Sequence, residues 1–392
     1  MYRRGILALA STLFFSLPAW AVPTHLVILH TNDTHNHLLP FDTKRAKDLG
    51  GIARRATLIE QIRAKEKALV FDAGDVFQGT PTYTFFKGEA DYRILDAIGY
   101  DATTIGNHEF DDGYGNVAKQ WQGKRFPIIN SNLCQNDKPL FTESKVFAVN
   151  GVKVGVFGLL GTDAVGTISA KFMKGIQFRS PAETARRMVA KLKKEADVVV
   201  LLSHSGYQED QQLAKEVPGI DVIVGGHSHT YLPEPTFVKN ALGTTAIVQT
   251  GQWGENLGRL DLEVENQKVL SVKGKLLPVD ASIAPDPKIA QLVDGYESQI
   301  KAKMSEVIGQ TPTALQSSRS GPSELGNWIS DLTRTLTGAD LAILNTGGIR
   351  APLPAGDITV GHIFSSFPFD NQLVTIDVPG TLLQEILDEN AA

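Results

Sequence analysis

Five groups of carboxylate, imidazole and amide side chains follow short apolar runs in the first 230 residues of the sequence. These side chain types bind divalent cations and move protons, so each group is a candidate metal or catalytic site. The groups are Asp33 with His35, Asp75, Asn107 with His108, His204, and His227 with His229.

Each group taken singly also has an ordinary explanation. Asp33 could cap a helix, His204 could be a hydrogen-bonded core histidine, and the pair at 227 and 229 is compatible with a turn. The joint pattern favours a shared site, because ligand types that follow successive strands converge on one edge of a sheet. The sequence therefore predicts one cation-binding site built from several loops.

Short apolar runs that end in polar residues and glycine predict the buried strands that position these groups. They are residues 26–29, 68–71, 152–160, 198–202 and 222–224, and a shorter run at 103–105 precedes Asn107. Helical patterns lie between several of them, at residues 52–67 and 181–195. This alternation of strands and helices predicts an α/β layered domain, in which ligands bind where the strands end.

The pattern changes in the last third of the chain. Residues 244–279 alternate apolar and polar side chains, which predicts antiparallel strands that close the first domain. Residues 285–309 then place apolar side chains on one helical face after a proline-rich start, which predicts a connecting helix. Beyond it we predict a helix at 324–337, a strand at 341–344 and a glycine-containing loop at 345–350. The expected domains are therefore 22–284, 285–309 as connector, and 310–392.

The N-terminus has the layout of a signal peptide. Arg3 and Arg4 precede an apolar stretch at residues 5–18, and small residues at 19 and 21 suit cleavage before Val22. The stretch is shorter than the roughly 20 residues that span a bilayer, so we expect a periplasmic or secreted protein with no membrane span after cleavage. The two arginines also fit a twin-arginine signal, but any export signal needs such cations, and we do not favour that reading.

Composition and charge exclude some functions. The apolar fraction of 42% and the charged fraction of 21% are those of a soluble globular protein. Removal of residues 1–21 takes away two arginines and no acidic residue, which changes the formal net charge from −5 to −7. No polymeric nucleic acid partner is expected at that charge, and no protein partner is predicted. The single cysteine, Cys134, allows no intramolecular disulfide and is interpreted as a small buried apolar residue.

Six motifs together resemble the calcineurin-like metallophosphoesterases, and within them the bacterial periplasmic 5'-nucleotidase and UDP-sugar hydrolase family. The resemblance covers residues 25–375 and rests on the motifs at 31–35, 74–75, 106–111, 226–229 and 345–350 together with His204. It implies a four-layer α/β/β/α metallophosphoesterase domain followed by an incomplete α+β nucleotidase C-terminal domain. Relatives of this family continue beyond the position of Ala392.

The resemblance implies two cation sites that share one carboxylate. One site would use Asp33, His35, Asp75 and His229, and the other Asp75, Asn107, His204 and His227. Two cations about 3.5–4 Å apart need a shared anion between them and can jointly activate a water molecule for attack on a phosphate ester. Imidazole and carboxylate ligands suit zinc or manganese, and the sequence does not choose between these two metals.

The resemblance also implies a catalytic dyad of His108 and Asp111. Asp111 would orient and charge the imidazole, and His108 would either stabilise the transition state or protonate the leaving oxygen.

Four residues of the second domain fall at positions that hold substrate in the resembling nucleotidases. They are Arg319, Asn345, Arg350 and Phe369. An arginine fork suits phosphate, and an aromatic ring suits a nucleobase. Taken alone, Arg319 is more often a solvated surface residue and Phe369 more often a core residue. The motif at 345–350 favours the substrate role for Phe369 and makes the two interpretations of Arg319 about equal. Because the second stacking aromatic of the relatives is absent, we expect weak discrimination among nucleobases, with simple nitrophenyl esters hydrolysed about as readily as nucleotides.

The leading hypothesis is hydrolysis of phosphate esters of extracellular nucleotides, a 5'-nucleotidase activity with UDP-sugar or dinucleotide cleavage as an extension. An alternative within the class is a 2',3'-cyclic nucleotide phosphodiesterase or a hydrolase of another anionic ester. An alternative from another class is a metal- or nucleotide-binding protein without turnover.

Overall fold

The computed structural model describes residues 23–43, 46–318, 321–367, 371 and 373–391. The chain forms two compact units, Met1–Asp294 and Gly295–Ala392, and each is described by itself. The predicted signal peptide lies outside the described residues. No helix among the residues that the structure describes is long and apolar enough to cross a membrane.

The first unit alternates strands and helices over most of its length. Its strands are β1 Thr24–Thr31, β2 Pro40–Phe41, β3 Leu49–Gly50, β4 Ala68–Asp72, β5 Ala102–Thr103, β6 Leu133–Gln135, β7 Lys138–Pro139, β8 Ser144–Val149, β9 Val152–Leu160, β10 Gln177–Phe178, β11 Val198–His204, β12 Val222–Gly225, β13 Thr236–Asn240, β14 Gly243–Val248, β15 Asn256–Glu265 and β16 Lys268–Pro278. Its helices are α1 Ile52–Arg63, α2 Pro81–Phe86, α3 Glu89–Ile98, α4 Gly113–Trp121, α5 Thr162–Thr167, α6 Ala170–Met173, α7 Pro181–Leu192 and α8 Tyr207–Glu216, with a 3₁₀ turn at His108–Phe110.

Two large sheets form the centre of this unit. The first has the strand order β16-β15-β1-β4-β5, and the second has the order β13-β14-β12-β11-β9-β8. Strands β1, β4 and β5 run parallel, as do β9, β11, β12 and β14, while β15, β16, β8 and β13 pair antiparallel with their neighbours. In the second sheet the parallel strands are central, with one antiparallel strand at each edge, whereas in the first sheet the parallel strands β1, β4 and β5 form one side and the antiparallel strands β15 and β16 the other. In each sheet the parallel strands end at a common edge.

Alternation along the strands builds the layers. In β1, Leu26 and Ile28 join a buried core with β11 residues such as Val200, which places this core between the two sheets. Val27 and Leu29 point the other way. They share a second core with apolar residues of α1, α3 and α4. A third core joins the opposite faces of β9 and β11 to α7 and α8. The order helix, sheet, sheet, helix confirms the predicted four-layer α/β/β/α domain.

Most predicted elements of this unit are found, with differences at their ends. Strand β9 matches the predicted residues 152–160, whereas β5 begins one residue earlier than expected and stops at Thr103. The helices predicted at 52–67 and 181–195 end early, at Arg63 and Leu192. The chain must reverse before β4 and β11 begin, so the mostly charged residues at 64–67 and 193–195 lie in the connections rather than in the helices.

The second unit is smaller and contains fewer regular elements. Helix α9, Pro287–Met304, contains the boundary between the units, and it is followed by β17 Val307–Thr311, α10 Glu324–Thr337, β18 Gly356–Thr359, α11 Val360–Ser366 and α12 Gly380–Ala391. Strands β17 and β18 form a two-stranded antiparallel sheet. Among the described residues, this unit has a buried apolar cluster that consists of Leu325, Ile349, Leu353 and Ile358.

Two predictions for this region are wrong. The connecting helix ends at Met304 rather than at 309, because Val307 pairs with Thr359 in a strand. Residues 341–344 form no strand, since none of the strands in the described part of the chain pairs with them. The apolar side chains of Leu341 and Ile343 are exposed instead. The helix predicted at 324–337 is confirmed, with Ser323 accepting a hydrogen bond from the Gly326 backbone at its N-terminus.

Candidate metal centre

The predicted ligands lie where the parallel strands of both sheets end. Strand β1 precedes Asp33 and His35, and β4 precedes Asp75. Strand β11 ends on His204 itself, and β12 precedes His227 and His229. The carboxyl ends of the two parallel strand sets therefore supply ligand types to one place, as the sequence predicted.

The backbone of these loops is unusual. Five of the seven predicted ligand residues have a positive φ: Asp33 at 49°, His35 at 45°, Asp75 at 54°, His227 at 74° and His229 at 52°. Residues other than glycine rarely adopt this left-handed conformation, which costs free energy unless the surroundings hold it. The concentration of such residues in one cluster indicates a site whose side chain directions are set by tight turns.

Three groups of side chains place ligand atoms close enough to hold a cation. They are Asp33 with His35 and His229, His35 with Asp75 and His108, and Asp75 with His204 and His227, and within each group the ligand atoms lie within 4.8 Å of one another. Asp75 belongs to two of the groups. Its Oδ2 lies 3.2 Å from His204 Nε2 and 3.9 Å from His35 Nε2.

Asn107 lies among the second set of ligands. Its Oδ1 is 3.2 Å from His204 Nε2 and 3.0 Å from His227 Nδ1. Among the first set, His35 Nε2 and His229 Nε2 lie 3.0 Å apart, and His229 Nε2 lies 3.6 Å from Asp33 Oδ1. All seven predicted ligands are thus brought together.

The imidazole rings are oriented by hydrogen bonds from their other nitrogens. His204 Nδ1 lies 2.8 Å from the carbonyl oxygen of Ala73, which can only accept a hydrogen bond. The proton of a neutral ring therefore sits on Nδ1, and the lone pair of Nε2 faces Asp75 and Asn107. His227 shows the reverse arrangement, since its Nε2 lies 3.0 Å from Asp163 Oδ2 and its Nδ1 faces Asn107. Such outer partners orient the rings that bind a metal.

The electrostatics of the cluster suit a cation. Burial opposes ionisation of Asp75, but the neighbouring imidazoles of His204, His108 and His35 outweigh it and hold the pKa of Asp75 below its usual range. Burial likewise acts to lower the pKa of His204, but the Asp75 carboxylate overcomes this effect and raises that pKa to about 10. Protons and metals compete for the same lone pairs, so this negative potential favours a divalent cation. The donor set and its orientation fit a pair of bound cations.

Two glycines allow the loops to approach each other. A Cβ on Gly106 would lie 2.1 Å from Asp75 Oδ1, so any side chain there would collide with the shared carboxylate. Gly74 has a φ of 89°, and a Cβ on it would lie 2.7 Å from the Gly106 backbone nitrogen. The Gly74-Asp75 and Gly106-Asn107 pairs are therefore fixed by steric contact between the loops.

His108 and Asp111 form a hydrogen-bonded pair at the edge of the cluster. The distance between His108 Nδ1 and Asp111 Oδ2 is 2.8 Å, and both side chains are about one-third exposed. Burial acts to lower the pKa of His108, but the hydrogen bond to Asp111 and the charge of Asp75 raise it to about 9. The two carboxylates therefore favour the imidazolium form of His108, whose side chain lines a cavity over the cluster.

A cavity of about 550 Å³ opens over these atoms and shows residues that the sequence analysis missed. Besides the predicted groups it is lined by His37, Gln78, Gly79, Thr167, Gln252 and Trp253. Trp253 has a φ of 60°, and its ring stacks on His37 with centroids 4.9 Å apart. A larger cavity of about 1070 Å³ adjoins it across Thr167 and His227. A strained backbone next to a metal site leaves no mark in the sequence pattern, so nothing there singled out Trp253.

The predicted substrate residues of the second unit are only partly described. Asn345 and Arg350 lie on either side of a 3₁₀ turn at Thr346–Gly348, and both are exposed. Asn345 Oδ1 accepts a hydrogen bond of 3.0 Å from the Gly347 backbone. Arg319 and Phe369 lie outside the described residues.

A layered α/β domain with a cluster of carboxylates and imidazoles at the strand ends, beside a histidine–aspartate pair, defines a metallohydrolase. The model of the calcineurin-like phosphoesterase family matches residues 26–231, and that of the 5'-nucleotidase C-terminal domain matches residues 303–392. The chain belongs to the calcineurin-like phosphoesterase family, and it is a phosphoester hydrolase.

Curated relatives and solved structures agree with this assignment. The chain is 33% identical over 413 residues to the trifunctional nucleotide phosphoesterase YfkN of Bacillus subtilis. This alignment covers 93% of this chain but only 27% of that protein. It is 30% identical to the 5'-nucleotidase of Diplobatis ommata, covering 94% of this chain and 71% of the relative. The crystal structure of a 5'-nucleotidase precursor from Thermus thermophilus superposes with a TM-score of 0.70 at 34% identity, covering 88% of this chain and 74% of that one.

Proposed function

We propose that the chain hydrolyses phosphate esters of nucleotides with a pair of divalent cations held at the strand ends of its first unit. The position of Asp75 carries this proposal, because its carboxylate belongs to two separate groups of potential ligands. A carboxylate shared in this way is what two closely spaced cations need between them.

We assign four ligands to each cation. Asp33, His35, Asp75 and His229 hold one, and Asp75, Asn107, His204 and His227 hold the other. This assignment leaves His108 outside both sets, although its ring lies near the side chains of His35 and Asp75. We exclude His108 from the ligands because its Nδ1 is hydrogen-bonded to the Asp111 carboxylate, an arrangement suited to a catalytic proton donor. Imidazole and carboxylate ligands favour zinc or manganese.

Bound cations of this kind neutralise the charge on phosphate oxygens and lower the pKa of a water molecule to about 7. The protein supplies the rest of the chemistry. Asp111 accepts a hydrogen bond from the Nδ1–H of His108, and this contact raises the pKa of the imidazole and favours its protonated form. The Nε2–H of His108 then donates to a phosphate oxygen as negative charge develops, or to the oxygen of the departing alcohol.

The assignment of nucleotides as substrates is supported by the relatives and by the second unit. The relatives named above are nucleotide phosphoesterases or 5'-nucleotidases by description, and the 5'-nucleotidase C-terminal domain matches residues 303–392. In the second unit we assign Arg350 and Asn345 to substrate binding, because guanidinium and amide groups recognise phosphate and nucleoside oxygens. Arg319 and Phe369 carry the same assignment from the sequence alone. The proposal places the protein outside the cytoplasm, on the strength of the N-terminal signal layout.

The proposal is tested by metal content and product release. The purified protein is stripped with a chelator and reloaded with Zn²⁺ or Mn²⁺. Released phosphate or nucleotide is then measured for adenosine monophosphate, a UDP-sugar, a 2',3'-cyclic nucleotide and bis(nitrophenyl) phosphate. We expect two cations per chain and hydrolysis that depends on them, with nucleotides among the substrates. Two bound cations without hydrolysis of any ester would disprove the enzyme and leave a metal-binding protein.

A further inference from the structure

Glu109 is a buried carboxylate, and its four hydrogen-bond donors among the described residues all belong to the backbone. The residue is 0% exposed. Its Oε1 accepts from the amides of Val76 at 2.8 Å and Phe77 at 3.1 Å. Its Oε2 accepts from the amides of Asp75 at 3.0 Å and Gly106 at 2.6 Å. Each carboxylate oxygen therefore accepts hydrogen bonds from two backbone N–H groups.

The four amides come from the two loops that carry metal ligands. Three successive N–H groups, at 75 to 77, belong to the loop after β4, in which Asp75 is the shared ligand. The fourth belongs to Gly106, which precedes the ligand Asn107 in the loop after β5. One side chain thus ties the backbone of both loops together. The same two loops also contact through the His108 amide, which donates to Asp75 Oδ1 at 2.9 Å.

The backbone conformation of the first loop explains why an anion is needed there. Asp75 has a positive φ of 54°, and a left-handed residue among successive turn residues aims several N–H groups at one point. Such a concave set of amides binds anions, and buried amides without a hydrogen-bond acceptor would destabilise the turn. Here the protein fills the concavity with its own carboxylate. Glu109 therefore stabilises the strained turn that directs Asp75 toward the cations.

We propose that Glu109 is a positioning residue that fixes the two ligand loops at their metal-binding separation before any cation is bound. This inference rests on the proposed roles of Asp75 and Asn107 as metal ligands. It assigns Glu109 no contact with substrate or cation, since both of its oxygens are occupied by backbone amides.

The hydrogen-bond pattern makes the role specific to a carboxylate of this length. In Glu109→Gln, an NH₂ group replaces one of the two carboxylate oxygens. Because each oxygen accepts two N–H bonds, the NH₂ group would face two backbone donors in either orientation of the amide, and two hydrogen bonds would be lost. Glu109→Asp keeps the charge but is one methylene shorter, so it cannot reach both loops at the present distances. Glutamine thus tests the acceptor capacity, and aspartate tests the reach.

The first experiment measures Mn²⁺ binding to metal-free protein by calorimetry, for wild type, Glu109→Gln and Glu109→Asp. Loss of a partner that orients ligands weakens metal binding by about 10- to 100-fold, and we expect a Kd increase of that size in both variants. Asp221→Asn is the matched control. Asp221 accepts a 2.8 Å hydrogen bond from the Val199 backbone and contacts Lys193, yet it contacts neither ligand loop.

The control separates positioning from general stability. Asp221→Asn is expected to lower Tm while binding Mn²⁺ with the wild-type Kd. If either Glu109 variant is folded by circular dichroism and binds Mn²⁺ as tightly as wild type, the inference is overturned, whatever its Tm. If the wild-type protein itself binds no Mn²⁺, the result contradicts the proposed metal centre, on which the positioning role rests, and is thereby distinguished from a failure of the positioning role alone.

A second measurement uses wild-type protein and does not depend on the folding of a variant. Amide hydrogen exchange is recorded on the metal-free chain at residues 75, 76, 77 and 106. If Glu109 holds the loops in advance, these four amides are protected without metal at least 10-fold relative to exposed loop amides such as that of Asn150. Exchange as fast as at Asn150, with protection only after Mn²⁺ is added, would show that the cations and not Glu109 order the loops.

Discussion

The two compact units differ most in what they bury. The first unit buries polar groups such as Asp75, His204 and Glu109 beside three apolar cores. The second buries a cluster of four apolar residues among those described, while Trp328, Leu336 and Ile343 are 44%, 70% and 67% exposed. The proposed metal ligands of the first unit are thus held by a packed scaffold, whereas Asn345 and Arg350, the two described residues assigned to the substrate, are exposed. Substitutions in the two units should therefore fail in different ways.

The largest effect is expected at the shared ligand. Asp75→Asn removes the negative charge that we propose is shared by the two cations, so we expect both metals to be lost and hydrolysis of every ester to be abolished. Metal content by atomic absorption and turnover of bis(nitrophenyl) phosphate are the measurements, with Asp221→Asn as the control that keeps both. Two tightly held metals in Asp75→Asn would refute the sharing.

A smaller loss is expected at the dyad of the same unit. His108→Ala should retain both metals and lose rate by about 10²- to 10⁴-fold, the usual contribution of a positioned proton donor. Rates and metal content are measured on the same preparation. Since His108 also lies within ligand distance of His35 and Asp75, loss of metal from the variant would reassign it as a ligand.

In the second unit the expected effect depends on the substrate. Arg350→Ala removes a charged hydrogen-bond donor worth about 1.5–3 kcal/mol, so kcat/KM for nucleotides should fall by roughly 10- to 150-fold. Metal content and turnover of bis(nitrophenyl) phosphate should not change. Arg334→Ala is the control, since Arg334 is an exposed arginine of the same unit that contacts Asp331. An equal fall in kcat/KM for nucleotides and for bis(nitrophenyl) phosphate would show that Arg350 does not act through nucleotide binding, and would contradict the proposed difference between the two units.

The smallest effect on activity is expected for a buried acid of the first unit that lies outside the ligand set, where the change is one of stability. Asp210 Oδ1 accepts a hydrogen bond from Ser203 Oγ, its Oδ2 has no hydrogen-bond partner among the described residues, and burial raises the pKa of Asp210 to about 8. At this site the folded state therefore keeps a proton that the unfolded chain releases near pH 4, so the contribution of Asp210 to the stability of the wild type falls as pH rises from about 4 to 8. Asp210→Asn removes this dependence.

We expect the difference in unfolding free energy between Asp210→Asn and wild type to grow in favour of the variant by up to about 1.4 kcal/mol per pH unit across that window. Chemical unfolding at several pH values measures it. Parallel stability curves for the two proteins would show that Asp210 ionises in the folded state as it does in water.

The sequence predicted the layers of the first unit more accurately than the elements of the second. Strands such as β9 are buried on both faces, so their apolar runs are nearly continuous and easy to recognise. In the second unit the apolar run at residues 341–344 looked like such a strand, but it finds no pairing partner among the described residues. A strand needs a neighbour, and local pattern does not provide one. The helix at 285–309 was overextended for the same reason, since Val307 pairs with a distant strand.

The sequence by itself determined which ligand types the protein has and that they follow strands, because residue identity and the period of apolar residues are local properties. Only the tertiary structure decided how they meet. The left-handed turns at Asp33, His35 and His229 and the stacking of Trp253 on His37 depend on contacts between distant segments. Glu109 shows this most clearly: the sequence places it beside His108, but its hydrogen bonds reach amides more than 30 residues away. Hydrogen bonds between remote loops are made only when the chain has folded, so no local pattern records them.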